Sequence, residues 1–232
     1  MKDQRYDKLF QALVTKATLK QDIYHNTLEA MNHFKEVISE LGSDYESKEE
    51  ELKTHRKIAF EYLFKSEFEV ELKFGGDILL FLMHTNVFDF SRDHEVMRTP
   101  YIREDKTRSY CGIINVYNFL ADSFKYNRYN DIGYLIGRIF INHEKHYFIE
   151  GKRELGFLYN DFGRHLMSRE TAGQIVEAAM LYTINFDLLT PPYENVKLVT
   201  VNEMKNTLDT FSIKTGKRLG FQFQEDKPNN GH

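Results

Sequence analysis

Glu67–Met83 reads EFEVELKFGGDILLFLM, and its period of two decides the fold. Phe68, Val70, Leu72 and Phe74 alternate with Glu67, Glu69, Glu71 and Lys73, the pattern of a strand with one apolar and one wet face. Gly75-Gly76-Asp77 then supplies a tight turn, because glycine reaches the left-handed backbone that short hairpin loops require. The return run Ile78–Met83 is apolar on both faces, as expected of a strand nearer the middle of a sheet.

Upstream the period is helical. From Gln4 to Leu41 the residues Phe10, Leu13, Val14, Ala17, Tyr24, Leu28, Met31, Phe34, Ile38 and Leu41 follow the spacing of one helical face, with no Pro or Gly among them. Gly42-Ser43-Asp44 reads as a stop followed by a cap, and Lys48–Phe64, KEEELKTHRKIAFEYLF, resumes helical spacing through Leu52, Ile58, Ala59, Tyr62 and Leu63. Residues 1–66 are therefore expected to form a helical hairpin. Phe10, Ala17, Tyr24, Met31 and Ile38 share one position of a seven-residue repeat, with Lys20 and Gln21 interrupting the partner position, so the stripe suits either a homodimer through the N-terminal helices or packing of the hairpin on its own domain.

Downstream, Tyr110–Phe124, Asp131–Asn142 and Lys145–Gly151 read as further strands, and LGFLY at 155–159 adds a candidate. Ser168 is placed to cap a helix running through Ile175, Val176, Ala179 and Tyr182 and ending before Thr190-Pro191-Pro192. VKLVTV at 196–201 reads as a strand, and Asn202 as the cap of a short helix. The class is α+β: an N-terminal helical hairpin over 1–66, then a core over 67–224 with a mainly antiparallel sheet of five to seven strands and one or two packed helices, and a frayed tail over 225–232.

Composition narrows the function classes. The chain has 232 residues, 41% of them hydrophobic, and a formal charge of −4, so nothing global favours nucleic acid or anionic lipid. Its longest apolar run, ILLFLM, is too short to cross a bilayer, and MKDQRYDKLF lacks the apolar segment of a signal peptide. A single cysteine, Cys111, allows no intramolecular disulfide, and its apolar setting predicts an inert buried thiol. A cytoplasmic location is expected.

Four stretches bear on chemistry. Arg138–Lys152, RIFINHEKHYFIEGK, holds two histidines and a glutamate, but HEKH is one residue short of the H-E-x-x-H spacing that stacks two imidazoles on a helix. A hairpin turning at His143 and Glu144 is expected instead, pairing Ile141 with His146, Ile139 with Phe148 and Gly137 with Glu150; no metal or cofactor site is assigned. His84, Asp89, Asp93 and His94 gather at a strand exit and offer the side chains of a metal-assisted hydrolase. Leu72–Leu82, LKFGGDILLFL, resembles the strand-turn-strand signature of diguanylate cyclases and related palm-type nucleotidyl cyclases. The resemblance implies an acidic site role for Asp77 and close phosphate approach at Gly75 and Gly76, whereas Ile78 and Leu79 stand where that family has acidic and aromatic residues.

The fourth stretch is Ser91–Ser109, SRDHEVMRTPYIREDKTRS, which has no clear period and is long for a connection between strands. Arg92, His94, Arg98, Arg103 and Arg108 can donate, and Tyr101 after Pro100 offers an aromatic anchor, so these six form the expected binding surface for a protein partner or small ligand. Nucleic-acid binding would use the same arginines with Lys106, but Asp93, Glu95, Glu104 and Asp105 offset them. A non-catalytic regulatory or interaction module is the leading expectation.

Overall fold

The computed structural model of the protein describes residues 2–49, 51, 56–151, 155, 161–190, 192–202, 204, 216 and 217. Over these the chain is α+β, built from a long first helix, a six-stranded antiparallel sheet and a C-terminal helix.

The first helix, α1, is Lys2–Lys48, 47 residues and about 70 Å long at 1.5 Å per residue. The expected stop at Gly42 is helical, because here glycine serves close packing: a Cβ would lie 2.6 Å from the Tyr62 ring. The expected second arm of the hairpin is absent from the described residues; Phe60–Ser66 is instead strand β1. FEYLF satisfies both periods as letters. Pairing with the next strand decides between them, placing Phe60, Tyr62 and Phe64 opposite Phe74, Leu72 and Val70, with Phe60 stacked on Tyr45 of α1 at 4.9 Å.

The sheet is a meander in the order β1, β2 (Glu69–Phe74), β3 (Asp77–Met83), β4 (Gly112–Leu120), β5 (Tyr134–Ile141) and β6 (Tyr147–Gly151), every neighbour antiparallel. Phe74 pairs with Asp77, so the β2–β3 loop is Gly75-Gly76, and Gly75 takes φ +55. Between β3 and β4 the chain makes its long excursion, which includes the short helix α2 (Pro100–Glu104); α3 (Ala121–Lys125) follows β4. The helix expected after Ser168 is α4 (Arg169–Ile184), and the Ser168 hydroxyl accepts from the Thr171 N–H at 3.2 Å.

One face of the sheet carries the main core. Val70, Leu72, Phe81, Ile114, Ile139 and Ile149 pack beneath Met31, Phe34 and Ile38 of α1 and Ile175, Val176 and Ala179 of α4, all fully or nearly fully buried. The α1 stripe therefore divides. Its half from Ile23 onward is core, whereas Tyr6, Leu9, Phe10, Leu13 and Val14 are 53–62% exposed. Of the two expectations for the stripe, packing on the chain's own domain holds for Met31 and Ile38, which face their own sheet and leave a homodimer seam without them.

The β5–β6 hairpin differs from expectation by one residue. Ile141 pairs with Tyr147, Ile139 with Ile149 and Arg138 with Glu150. The reason is Asn142: its Oδ1 accepts from the Glu144 and His146 N–H groups, both at 3.0 Å, and Lys145 takes φ 62, so five residues rather than four fit between the paired ends. A slip of one exchanges faces, which sends Tyr147 and Ile149 into the main core and Phe148 to the other side.

VKLVTV is not a strand: Val196 ends the short helix α5 (Tyr193–Val196), and Lys197–Thr200 are irregular. A two-stranded ribbon joins β7 (Leu188–Leu189) and β8 (Gly216–Lys217) instead. LGFLY beyond Leu155 and the tail 225–232 lie outside the described residues. Among the described residues no helix is long and apolar enough to cross a membrane.

Candidate functional site

The excursion from β3 to β4 leaves and returns side by side, because Phe88 and Cys111 exchange backbone hydrogen bonds at 2.8 Å. Between them the chain is a series of short helical turns. His94 caps Glu95–Arg98 by accepting from the Val96 N–H at 3.2 Å, Pro100 opens α2, and Asp105 caps Lys106–Ser109 by accepting from the Thr107 N–H at 2.8 Å. The turns are too short for a detectable period. They are stapled to the second sheet face by Ile102, which is buried with Cys111, Ile113, Phe140, Phe148 and Phe162. The rings of Phe140 and Phe148 stack at 4.8 Å, and Phe90 sits 4.9 Å from Phe140. Burial, then the Asp89 charge, pushes the Cys111 thiol well up, leaving it a poor nucleophile.

A polar latch closes this segment onto the β5–β6 turn. The Tyr101 hydroxyl donates to Glu144 at 2.6 Å and accepts from the Asn142 amide at 2.8 Å. Arg108 ion-pairs with Glu144 at 3.0 Å, donates to the Tyr101 carbonyl at 3.0 Å, and stacks its guanidinium 4.4 Å from the Tyr101 ring centre. Burial, then the bond to the Glu144 carboxylate, pushes the Tyr101 phenol far above its ordinary value. Burial alone would raise the Glu144 carboxyl; the hydrogen bonds from Tyr101 and Arg108 outweigh it and hold the group below its ordinary value.

The expected ligand residues therefore separate. Tyr101 and Arg108 are spent inside the latch, and His94 is spent on its cap and on Phe90, 4.8 Å away. Arg92, Arg98 and Arg103 are exposed, and among the described residues none of them makes an ion pair. Of the three, Arg92 faces a cavity. It lines a groove of about 1070 Å³ between the N-terminal half of α1 and residues 89–110, together with Lys8, Lys16 and Lys106. Leu19, Phe90, Met97 and Tyr110 add apolar surface, and Lys16 sits 3.2 Å above the Tyr110 ring. The one carboxylate in the lining, Asp89, accepts from Ser109 at 2.6 Å, so four cations face one engaged anion.

Nothing in the sequence marks Lys8 and Lys16 as groove residues. They lie more than seventy positions from the segment they oppose, and on α1 they look like ordinary solvated helix charges.

The other candidates do not converge. His84 accepts from the Asn86 N–H at 3.0 Å, Asp89 is held by Ser109, and Asp93 is exposed, so each has its own local setting. His143 and His146 lie in the turn with their Nδ1 atoms buried and not hydrogen-bonded. Among the described residues no three His, Cys, Asp or Glu side chains meet where they could hold a metal ion. At the opposite end of the sheet a cavity of about 960 Å³ surrounds the Gly75-Gly76 turn. Its charges are of both signs: Glu61 pairs with Lys73 at 3.0 Å, Glu71 with Lys65 at 2.6 Å, Asp77 accepts from Asn118 at 3.3 Å, and Asp122, Lys125, Arg128 and Asp187 complete the lining.

The chain matches no family model, no curated protein and no solved structure. Its site must be judged on its own geometry. Among the described residues, the α1 groove brings together four cations without an ion pair, apolar surface and a concave shape.

Proposed function

We propose that the protein is a non-catalytic cytoplasmic interaction module that holds an acidic segment of a partner protein in the groove between α1 and residues 89–110. The observation that carries this is the gathering of Lys8, Lys16, Arg92 and Lys106 along one groove with no ion pair among the described residues. Like charges gathered without counter-ions cost energy in the free protein, and an anionic ligand relieves that cost. Leu19, Phe90, Met97 and Tyr110 in the same lining favour a ligand with an apolar side chain among its carboxylates over a bare polyanion. The overall charge of −4 keeps long-range attraction to nucleic acid weak. The single buried thiol supports a reducing compartment.

The test is fluorescence anisotropy with a labelled Glu/Asp-rich peptide carrying a central Phe. Binding should weaken with added salt and fall at least tenfold in the triple variant Lys16→Ala, Arg92→Ala, Lys106→Ala. Inorganic polyphosphate and single-stranded RNA serve as competitors. Tighter binding of either than of the peptide, or a triple variant that binds as the parent does, would overturn this function.

A further inference from the structure

Strand β1 is the outermost strand of the sheet, and among the described residues nothing pairs with its outer edge. The Gly75 N–H donates to the Ala59 carbonyl at 2.8 Å, which fixes the alternation: residues 59, 61 and 63 turn their backbone groups toward β2, while Phe60, Tyr62 and Phe64 turn theirs outward. Its α1-side face is apolar, and on its other face Leu63 stands between Glu61 and Lys65. Tyr62 and Phe64, on the α1 side, are each 40% exposed, and Leu63, on the other side, is 53% exposed. An edge with a free row of donors and acceptors and apolar side chains at its centre is a template for another strand.

We infer that this edge pairs with a second copy of itself, antiparallel about a two-fold axis at Leu63, to give one continuous twelve-stranded sheet. The sequence FEYLFKS is self-complementary in that register alone. Leu63 meets Leu63, Tyr62 meets Phe64 of the second copy, and Glu61 meets Lys65 of the second copy. Within each copy Glu61 already pairs with Lys73 and Lys65 with Glu71, so the two pairs join into an alternating row of charge across the axis. A shift of two residues either way places a charge opposite Leu63, and a parallel in-register pairing opposes Glu61 to Glu61. The register shift at Lys65 limits regular backbone pairing to Tyr62–Phe64, with Glu61 and Lys65 of the second copy meeting as side chains at its ends. So short a contact is smaller than a standard interface of about 1,600 Å², and a micromolar dimer is expected.

Sedimentation velocity from about 1 to 200 μM, a range spanning the micromolar affinity expected, tests the inference. The unaltered chain should shift from monomer to dimer, and Leu63→Lys should abolish the shift without changing the circular dichroism spectrum. Glu61→Lys and Lys65→Glu should each be monomeric, since each sets like charges across the axis, while their equimolar mixture should dimerise because opposite charges then meet. Leu13→Glu, on the exposed α1 stripe, should leave the dimer unchanged. A chain monomeric throughout the range overturns the inference, as does a dimer that survives Leu63→Lys or is lost on Leu13→Glu, or a mixture that stays monomeric.

Discussion

Tyr101 shows how far a single residue can be judged from its neighbours in sequence. After Pro100, in a polar stretch, it looks like an exposed anchor for a ligand; in the structure its hydroxyl is shared between Glu144 and Asn142, more than forty positions away. Nothing local signals that partnership. Replacing Tyr101 by Phe would leave the Asn142 amide and the Glu144 carboxylate each short of a partner, and a loss of about 1–2 kcal/mol in urea unfolding is expected. The latch also sets a pH window. Glu144 is held below its ordinary 4.5, so its contribution is complete above that value and is lost as pH falls through the lower folded value. Tyr101 is raised above its ordinary 10.0, so its contribution is complete below that value and is lost as pH rises through the higher folded one. Glu144→Gln should accordingly flatten the fall of the unfolding free energy below about pH 4.5 while lowering its plateau near neutrality by about 1 kcal/mol, a modest figure because the pair is partly exposed. An acid limb identical to that of the parent protein would show that Glu144 does not titrate as described.

At the scale of elements, periodicity carried most of the fold and failed where two periods coincided. The alternation at Glu69–Phe74, the Gly75-Gly76 turn and the Ser168 cap all appear as expected, because each rests on neighbours within a few positions. Phe60–Phe64 fits a helix and a strand equally, and only the facing strand Glu69–Phe74 resolves it. The β5–β6 register depended on a side chain, Asn142, bonding across its own turn. Two predictions belong here. Gly75 sits at φ +55 whereas Gly76 does not, so Gly75→Val should cost about 1–2 kcal/mol of stability and Gly76→Ala very little, measured by thermal unfolding. Along α1, Met31→Glu places a charge in a fully buried position and should unfold the protein, while Leu13→Glu, on a side chain 60% exposed, should change the melting temperature little. Equal effects of the two would mean that the stripe is not divided as described.

At the scale of the whole molecule, the groove exists because α1 is longer than the sheet face it covers. Residues from Ile23 onward pack on the strands, whereas nearly every side chain from Tyr6 to Asp22 is exposed, and the excursion from β3 to β4 rises beside that free length. No local pattern predicts such a meeting, since one wall comes from residues 8–19 and the other from residues 89–110. The two walls touch where Lys16 lies over Tyr110, a contact of about 0.5–1 kcal/mol at an exposed position, too weak to hold the domain together. Deleting residues 2–14 should therefore separate three properties. The sheet domain should melt within a degree or two of the full chain, because no side chain described in the deleted stretch is buried. Dimerisation through β1 should persist, because that edge lies at the other end of α1, beside Tyr45. Binding of the acidic peptide should fall, because Lys8 and the start of the helical wall are gone. A truncated chain that binds the peptide as tightly as the full one would take Lys8 and the first turns of α1 out of the site and leave it to Lys16, Arg92 and Lys106. One that melts far earlier would instead make the N-terminal half of α1 part of the core.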